Sequence, residues 1–257
     1  KIDFVDEMAD HLEAIIVSHG HEDHAGAVAF FADKINCPVY ASGFARSLIE
    51  NRLKEFGSLD KIKLITIDPK KHIKLKNFEL SFTTTTHSIP EPHAILIDTR
   101  YGKLLHTADW KIDSKPTLGE VIDINSFKKI GNDGLLAIIG DSTNADVPGF
   151  SRSETEVLEE LIKVFSRYNK RIVITCFSSN IARMESIASA AKKKVSICGE
   201  LGGDPMATLL LLGLGKLTEL SMDSHSIPRV KKIISQSSIK DARMFSKNGL
   251  YWGKYEK

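Results

Sequence analysis

A chain of 257 residues, 42% hydrophobic and 26% charged, reads as a globular protein of one large or two ordinary domains. Its net charge of +2 is too balanced to argue for nucleic acid by itself, and the pairs and triplets at Lys70-Lys71, Lys128-Lys129, Lys192-Lys193-Lys194 and Lys231-Lys232 read as solvated helix ends and loops. Three widely spaced cysteines exclude a disulfide framework and fit a reducing, cytoplasmic setting, and no apolar run approaches the roughly 18 residues needed to span a bilayer, so no membrane partner is expected.

In chain order, residues 13–17 read as a strand and 27–35 as an amphipathic helix. A short strand at 38–40 and a helix at 45–56, with Leu48, Ile49 and Leu53 on one face, come next. Strands then dominate, at 63–67, 72–75, 79–84, 94–98 and 103–107, with a hairpin turn at Arg100-Tyr101-Gly102. Helix followed by meander predicts a mixed sheet. Residues 135–139 read as a further buried strand, and Ser153-Glu154-Thr155-Glu156 as a capping box opening a helix with Val157, Leu158, Leu161 and Ile162 on its apolar face. Strands at 171–176, 195–198 and 219–222 alternate with helices at 179–191, 205–212 and 227–234, a rhythm that predicts a parallel sheet.

The chemistry concentrates in His19-Gly20-His21-Glu22-Asp23-His24, directly after the apolar run Ala14-Ile15-Ile16-Val17. His19 and His21 can face the same way from an extended backbone, while Asp23 and His24, where a helix begins, can face a second metal. One loop cannot complete two sites, so further ligands are expected at downstream strand ends. His87 and Asp109 are the candidates, each at the end of a predicted strand. His93 competes with them; His106 reads as structural, and His11, His72 and His225 as surface residues.

The run Ser18-His19-Gly20-His21-Glu22-Asp23-His24-Ala25-Gly26 resembles the signature of the metallo-β-lactamase superfamily. Thr86-His87-Ser88-Ile89-Pro90-Glu91 and His106-Thr107-Ala108-Asp109-Trp110-Lys111 are similar to its third and fourth motifs, in the wording of the β-CASP branch and its ribonuclease J family. Gly140-Asp141-Ser142-Thr143-Asn144-Ala145-Asp146, Pro148-Gly149-Phe150 and Phe177-Ser178-Ser179-Asn180-Ile181-Ala182-Arg183 also resemble that family, over about residues 1–193. The resemblance implies zinc-dependent hydrolysis of RNA phosphodiesters. His19, His21 and His87 would hold one zinc, Asp23 and His24 the other, and Asp109 would bridge them. Asp23, His24 and Asp109 are the expected catalytic residues, and Ser178, Ser179 and Asn180, before a helix, would cradle a phosphate or act as an ordinary cap.

The chain also departs from that family. Lys1 begins in mid-pattern, and strands expected before it, a Ser-Gly-His-Ala type motif and a last metal-binding His are not found. The second zinc site is therefore expected to be incomplete, and turnover on 5′-monophosphorylated RNA weak or absent. From Val195-Ser196-Ile197-Cys198-Gly199-Glu200 to Ser226-Ile227-Pro228-Arg229 the chain instead resembles the end of the phosphoenolpyruvate-binding barrel of enzyme I of the sugar phosphotransferase system. That likeness puts Cys198 on a catalytic acid, but without the barrel's other strands, arginines and metal-binding acids it reads as a buried structural cysteine at a strand end.

The expected architecture is α/β: a partial αββα metallo-β-lactamase domain over 1–150, the start of a β-CASP domain over 151–193, and a small parallel βα remnant over 194–257. A seam near residues 190–194 suggests a joined or misassembled gene. RNA is the expected partner, and the oligomeric state, a homo-oligomer included, stays open. The rivals are a phosphoenolpyruvate-dependent phosphotransferase piece and a fragment without function of its own.

Overall fold

A computed structural model describes residues 5, 7–191, 195–213, 215 and 217–248; the proposed seam at Lys192-Lys193-Lys194 lies outside them. The chain forms two compact units. The first holds the described residues up to Phe150 except 88–90 and 113–119; the second holds those two segments and the described residues from Ser151 onward.

In the first unit, β1 (Ile15–Val17) leads into the short helix α1 (Glu22–Ala25), which continues as a 3-10 turn over Gly26–Phe31. β2 (Val39–Ala41), α2 (Gly43–Glu55) and β3 (Leu64–Thr66) follow. The three strands pair in parallel in the order β1-β2-β3. Their period-2 alternation separates two faces. Val17, Val39 and Ala41 pack with Val28, Ala45, Ile49 and Leu53 from the 3-10 turn and α2, whereas Ile16 and Tyr40 point the other way. Each wholly buried aliphatic side chain, such as Leu53 at 0% exposure, contributes about 1.5–3 kcal/mol.

The second sheet runs β4 (Ile73–Lys74), β5 (Glu79–Thr84), β6 (His93–Thr99), β7 (Gly102–His106) and, after helix α3 (Ile124–Asp133), β8 (Ala137–Ile139), in that order. It is mixed, as expected: β4 to β7 are antiparallel neighbours and β8 joins β7 in parallel. One face presents Leu80, Phe82 and Ile95 to Ile16 and Tyr40 of the first sheet. The other presents Ala94 and Leu105 to Phe127 and Ile130 of α3. The layers are therefore helix, sheet, sheet, helix.

Three expectations change here. The helix expected at 27–35 is a 3-10 helix over Gly26–Phe31 instead, preceded by the short α-helical turn Glu22–Ala25. The strand at 135–139 is an edge, not buried: all three residues of β8 are exposed, and Ile138 is 62% accessible. Periodicity cannot reveal whether a strand has a second neighbour. α3 is an element not expected from the sequence, although Asp123 caps it by accepting the Ser126 N–H and its apolar residues recur at Phe127 and Ile130.

The second unit opens with α4 (Glu154–Ser166) and α5 (Ile181–Ala190), which pack on each other. β9 (Val195–Ile197), α6 (Glu200–Gly203), α7 (Pro205–Gly213), β10 (Leu217–Leu220), α8 (Ile227–Gln236) and α9 (Ile239–Asn248) complete it. β9 and β10 pair in parallel, as the rhythm predicted, and α7 buries Leu209, Leu210 and Leu211. The strand expected at 171–176 is not formed. Val173 there is 84% exposed, and a β-branched pattern makes no strand without a ladder partner.

The start of α4 departs from a simple capping box. Ser153 Oγ takes the Thr155 N–H but also donates to Asp113 Oδ1 at 2.7 Å, while Asp113 Oδ2 accepts the Glu154 N–H at 2.9 Å. Glu154, almost wholly buried, is held by the Arg183 guanidinium of α5 at 2.8 Å.

Candidate metal centre

The exits of β1 and β7 and the segment after β5 converge in the first unit. Backbone bonds set their spacing. His93 N–H donates to Ser18 O, joining the β1 exit to the start of β6. Lys111 N–H donates to Thr86 O, and the Thr86 hydroxyl returns to Lys111 O, so the residues beside His87 and Asp109 form one antiparallel bridge. Gly20 lies against α2: a Cβ there would stand 2.8 Å from Leu48 Cδ1 and 3.4 Å from Ala45 Cα, so a side chain would have to push the Leu48 methyl aside.

All six expected metal ligands come together. His19, His21, His87 and Asp109 present ligand atoms all within 4.8 Å of one another, and Asp23, His24 and Asp109 do the same. His19 is fully buried, with Nδ1 3.0 Å from Ser18 Oγ and Nε2 3.1 Å from His21 Nδ1. His87 Nε2 stands 3.1 Å from the same His21 nitrogen. Asp109 divides its oxygens: Oδ1 is 3.3 Å from His24 Nε2, and Oδ2 is 3.7 Å from His87 Nε2. The site closes on the His19 side and opens on the other, where the Asp23 side chain is 78% exposed.

This donor set fits a cation. Three imidazole nitrogens aimed at one point cannot all satisfy each other by hydrogen bonds, whereas tetrahedral ligands around zinc stand about 3.3 Å apart. Burial, then the neighbouring imidazoles His24, His21 and His87, pushes the His19 pKa down to about 2; burial first also lowers His87 to about 4. Both rings are thus held neutral, the form a metal binds. The Ser18 contact fixes the His19 ring from behind, as outer partners of metal-bound histidines commonly do.

Asp141, a motif residue in the sequence, has a structural role here. Its carboxylate accepts the Thr143 N–H and hydroxyl at 2.9 and 2.7 Å and also the Trp110 N–H, and it is held below the usual carboxylate range, first by Thr143. Its own N–H donates to Thr107 Oγ1. It thereby ties the Asp109 loop to the β8 exit. Trp110 stacks on Phe127 with ring centroids 5.8 Å apart. His93 lies outside both ligand groups, buried edge-on to Phe82. His106 is structural as expected, its Nδ1 accepting the Ala108 N–H at 3.1 Å.

The residues expected beyond this centre lie in the second unit. Asn180 caps α5, its side chain accepting the Arg183 N–H at 2.9 Å, while Ser178 and Ser179 are exposed before it. Cys198, read as a buried structural cysteine, is instead exposed just after β9.

The sequence pattern of the metallo-beta-lactamase superfamily matches residues 2–164. The chain belongs to that superfamily. Its curated relatives include Ribonuclease J of Sinorhizobium meliloti, 41% identical over 191 residues, and Ribonuclease J 1 of Streptococcus pyogenes, 36% identical over 199. These alignments cover 74% and 76% of this chain but 34% and 35% of those proteins, so the chain spans about a third of the length of the relatives it matches. The pattern of the PEP-binding domain of PEP-utilising enzymes matches residues 150–239, overlapping the first match at its start. Among solved structures, a protein of unknown function from Enterococcus faecalis shares the fold over 82% of this chain and 51% of its own, with a TM-score of 0.59 and 14% identity. Among the described residues, no helix is long and apolar enough to cross a membrane.

Proposed function

We propose that this chain is a metal-dependent RNA phosphodiester hydrolase of the ribonuclease J type, working with two zinc ions in the cytoplasm. The observation that carries this reading is the shared Asp109, whose two oxygens face two different ligand groups. His19, His21 and His87 would hold one ion, Asp23 and His24 the other, and Asp109 both. Bound there, the pair would supply Lewis acidity toward a phosphate and lower the pKa of a water.

The chain's own groups supply the rest. Buried His19 forms the floor and keeps solvent from that side. Ser18, Asp141 and the Thr86–Lys111 bridge hold the ligands before substrate arrives, so little reorganisation remains at the moment of reaction. A phosphodiester would enter at the open side, past Asp23. Ser178, Ser179 and Asn180 are proposed as a phosphate contact, and the names of the relatives support RNA as the substrate.

The test is single-turnover cleavage of an end-labelled 5′-monophosphorylated RNA with protein in excess, conditions that register slow reactions. Cleavage that requires zinc and disappears in Asp109→Ala supports the reading. Absence of cleavage by the zinc-loaded chain, or cleavage that persists in Asp109→Ala, overturns it.

A further inference from the structure

Among the described residues, the two positive-φ residues other than glycine both flank the metal centre. Ala108, at +52°, directly precedes Asp109, and Glu91, at +56°, follows His87 by four residues. This conformation costs an L-residue about 1–2 kcal/mol. Glu91 also sits between Pro90 and Pro92, which restrict the backbone on both sides.

What holds Glu91 there is its carboxylate. Oε2 accepts the Phe44 N–H at 2.8 Å, and the group also takes the Ser42 hydroxyl and the Gly43 N–H. These are the opening groups of α2, a 13-residue helix whose first N–H groups lack helical partners and whose dipole favours an anion. Burial pushes the Glu91 carboxyl above its usual range, and the three donors offset this only in part. The same end of α2 carries the other ligand loop, because Gly20 rests on Ala45 and Leu48. One helix end therefore touches both the His19–His21 loop and the chain that leaves His87.

We infer that Glu91 is a positioning residue of the metal centre: by clamping the His87 loop to the N-terminus of α2, it sets His87 against His21 and Asp109. Its removal should release a strained backbone and let His87 drift from its partners. The inference rests on the metal reading above and goes beyond it, since Glu91 is no ligand itself.

The experiment measures zinc affinity, by competition with a chromophoric chelator, together with the melting temperature of the zinc-free chain. The proteins are the full chain, Glu91→Ala, Glu91→Gln and His87→Ala. Outer partners of metal ligands are commonly worth about 10–100-fold in affinity, and Glu91→Ala should lose that much. Glu91→Gln keeps one acceptor oxygen, so its affinity should fall between those of Glu91→Ala and the unaltered chain, with a zinc-free melting temperature close to that of the unaltered chain. If Glu91→Ala does not fold, Glu91→Gln decides, and a loss of at least about threefold supports the inference. Affinity within twofold of the unaltered chain in the Glu91 variants, while His87→Ala loses zinc, would overturn it; a merely structural Glu91 would lower only the melting temperature. Unchanged affinity in His87→Ala would overturn the metal reading, and this inference with it.

Discussion

Asp109 Oδ1 lies 3.3 Å from His24 Nε2, while its other oxygen turns to His87. Asp109 is the one member common to both ligand groups, so the remaining members should be separable by mutation. His24→Ala should weaken zinc binding at the Asp23–His24–Asp109 group by at least about tenfold and spare the three-histidine group; His21→Ala should do the reverse. Zinc titration of both variants by calorimetry checks this. Identical loss from both would mean one site rather than two.

Ala108 carries its positive φ inside the motif that presents Asp109. Glycine removes a penalty of about 1–2 kcal/mol there and costs about 0.5–1 kcal/mol in unfolded-chain entropy. Ala108→Gly should therefore stabilise the chain by about 0.5–1 kcal/mol in urea unfolding. Destabilisation would mean that the buried methyl contributes more than the strain costs.

Asp113 is 1% exposed and accepts from the Ser153 hydroxyl and from the Glu154 and Lys115 N–H groups. Asp113→Ala leaves buried donors unsatisfied at the start of α4 and should cost about 2–4 kcal/mol. The shift in urea midpoint measures it. A loss under about 1 kcal/mol would show that water replaces the carboxylate there.

Asp123 caps α3, and its pKa is lowered first by the Ser126 hydroxyl and then by the Ser126 N–H. A lowered carboxylate contributes its stability above the unfolded value, near 3.9, and loses it as pH falls through the folded one. Because the group is exposed, the cap is worth about 0.5–1 kcal/mol. The urea-midpoint difference between the unaltered chain and Asp123→Ala should hold from pH 8 to pH 5 and shrink below about pH 4. A difference independent of pH would assign the cap to something other than the ionised carboxylate.

The metal centre was legible because its residues break the pattern around them. Four potential ligands crowd a loop after an apolar strand, and His87 and Asp109 stand at strand exits where side chains leave the sheet. Fold class was legible from the alternation that gives β1, β2 and β6 two different faces. What stayed hidden depends on contacts across sequence distance. Glu91 reaches Phe44 and Asp113 reaches Ser153, pairings that no local spacing announces. Among the described residues, the segment at 171–176 has strand chemistry but no ladder partner, and β8 has one partner where its pattern suited two. α3 could have been found: Asp123 before Phe127 and Ile130 is a cap followed by a helical face.

Zinc bound per chain after dialysis, in the unaltered protein and in Asp109→Ala, tests the central claim most directly. Zinc should be retained by the unaltered chain and fall at least about tenfold in affinity when Asp109 is removed, since both ligand groups lose a member. A chain that holds no zinc, or holds it equally well without Asp109, would contradict the account.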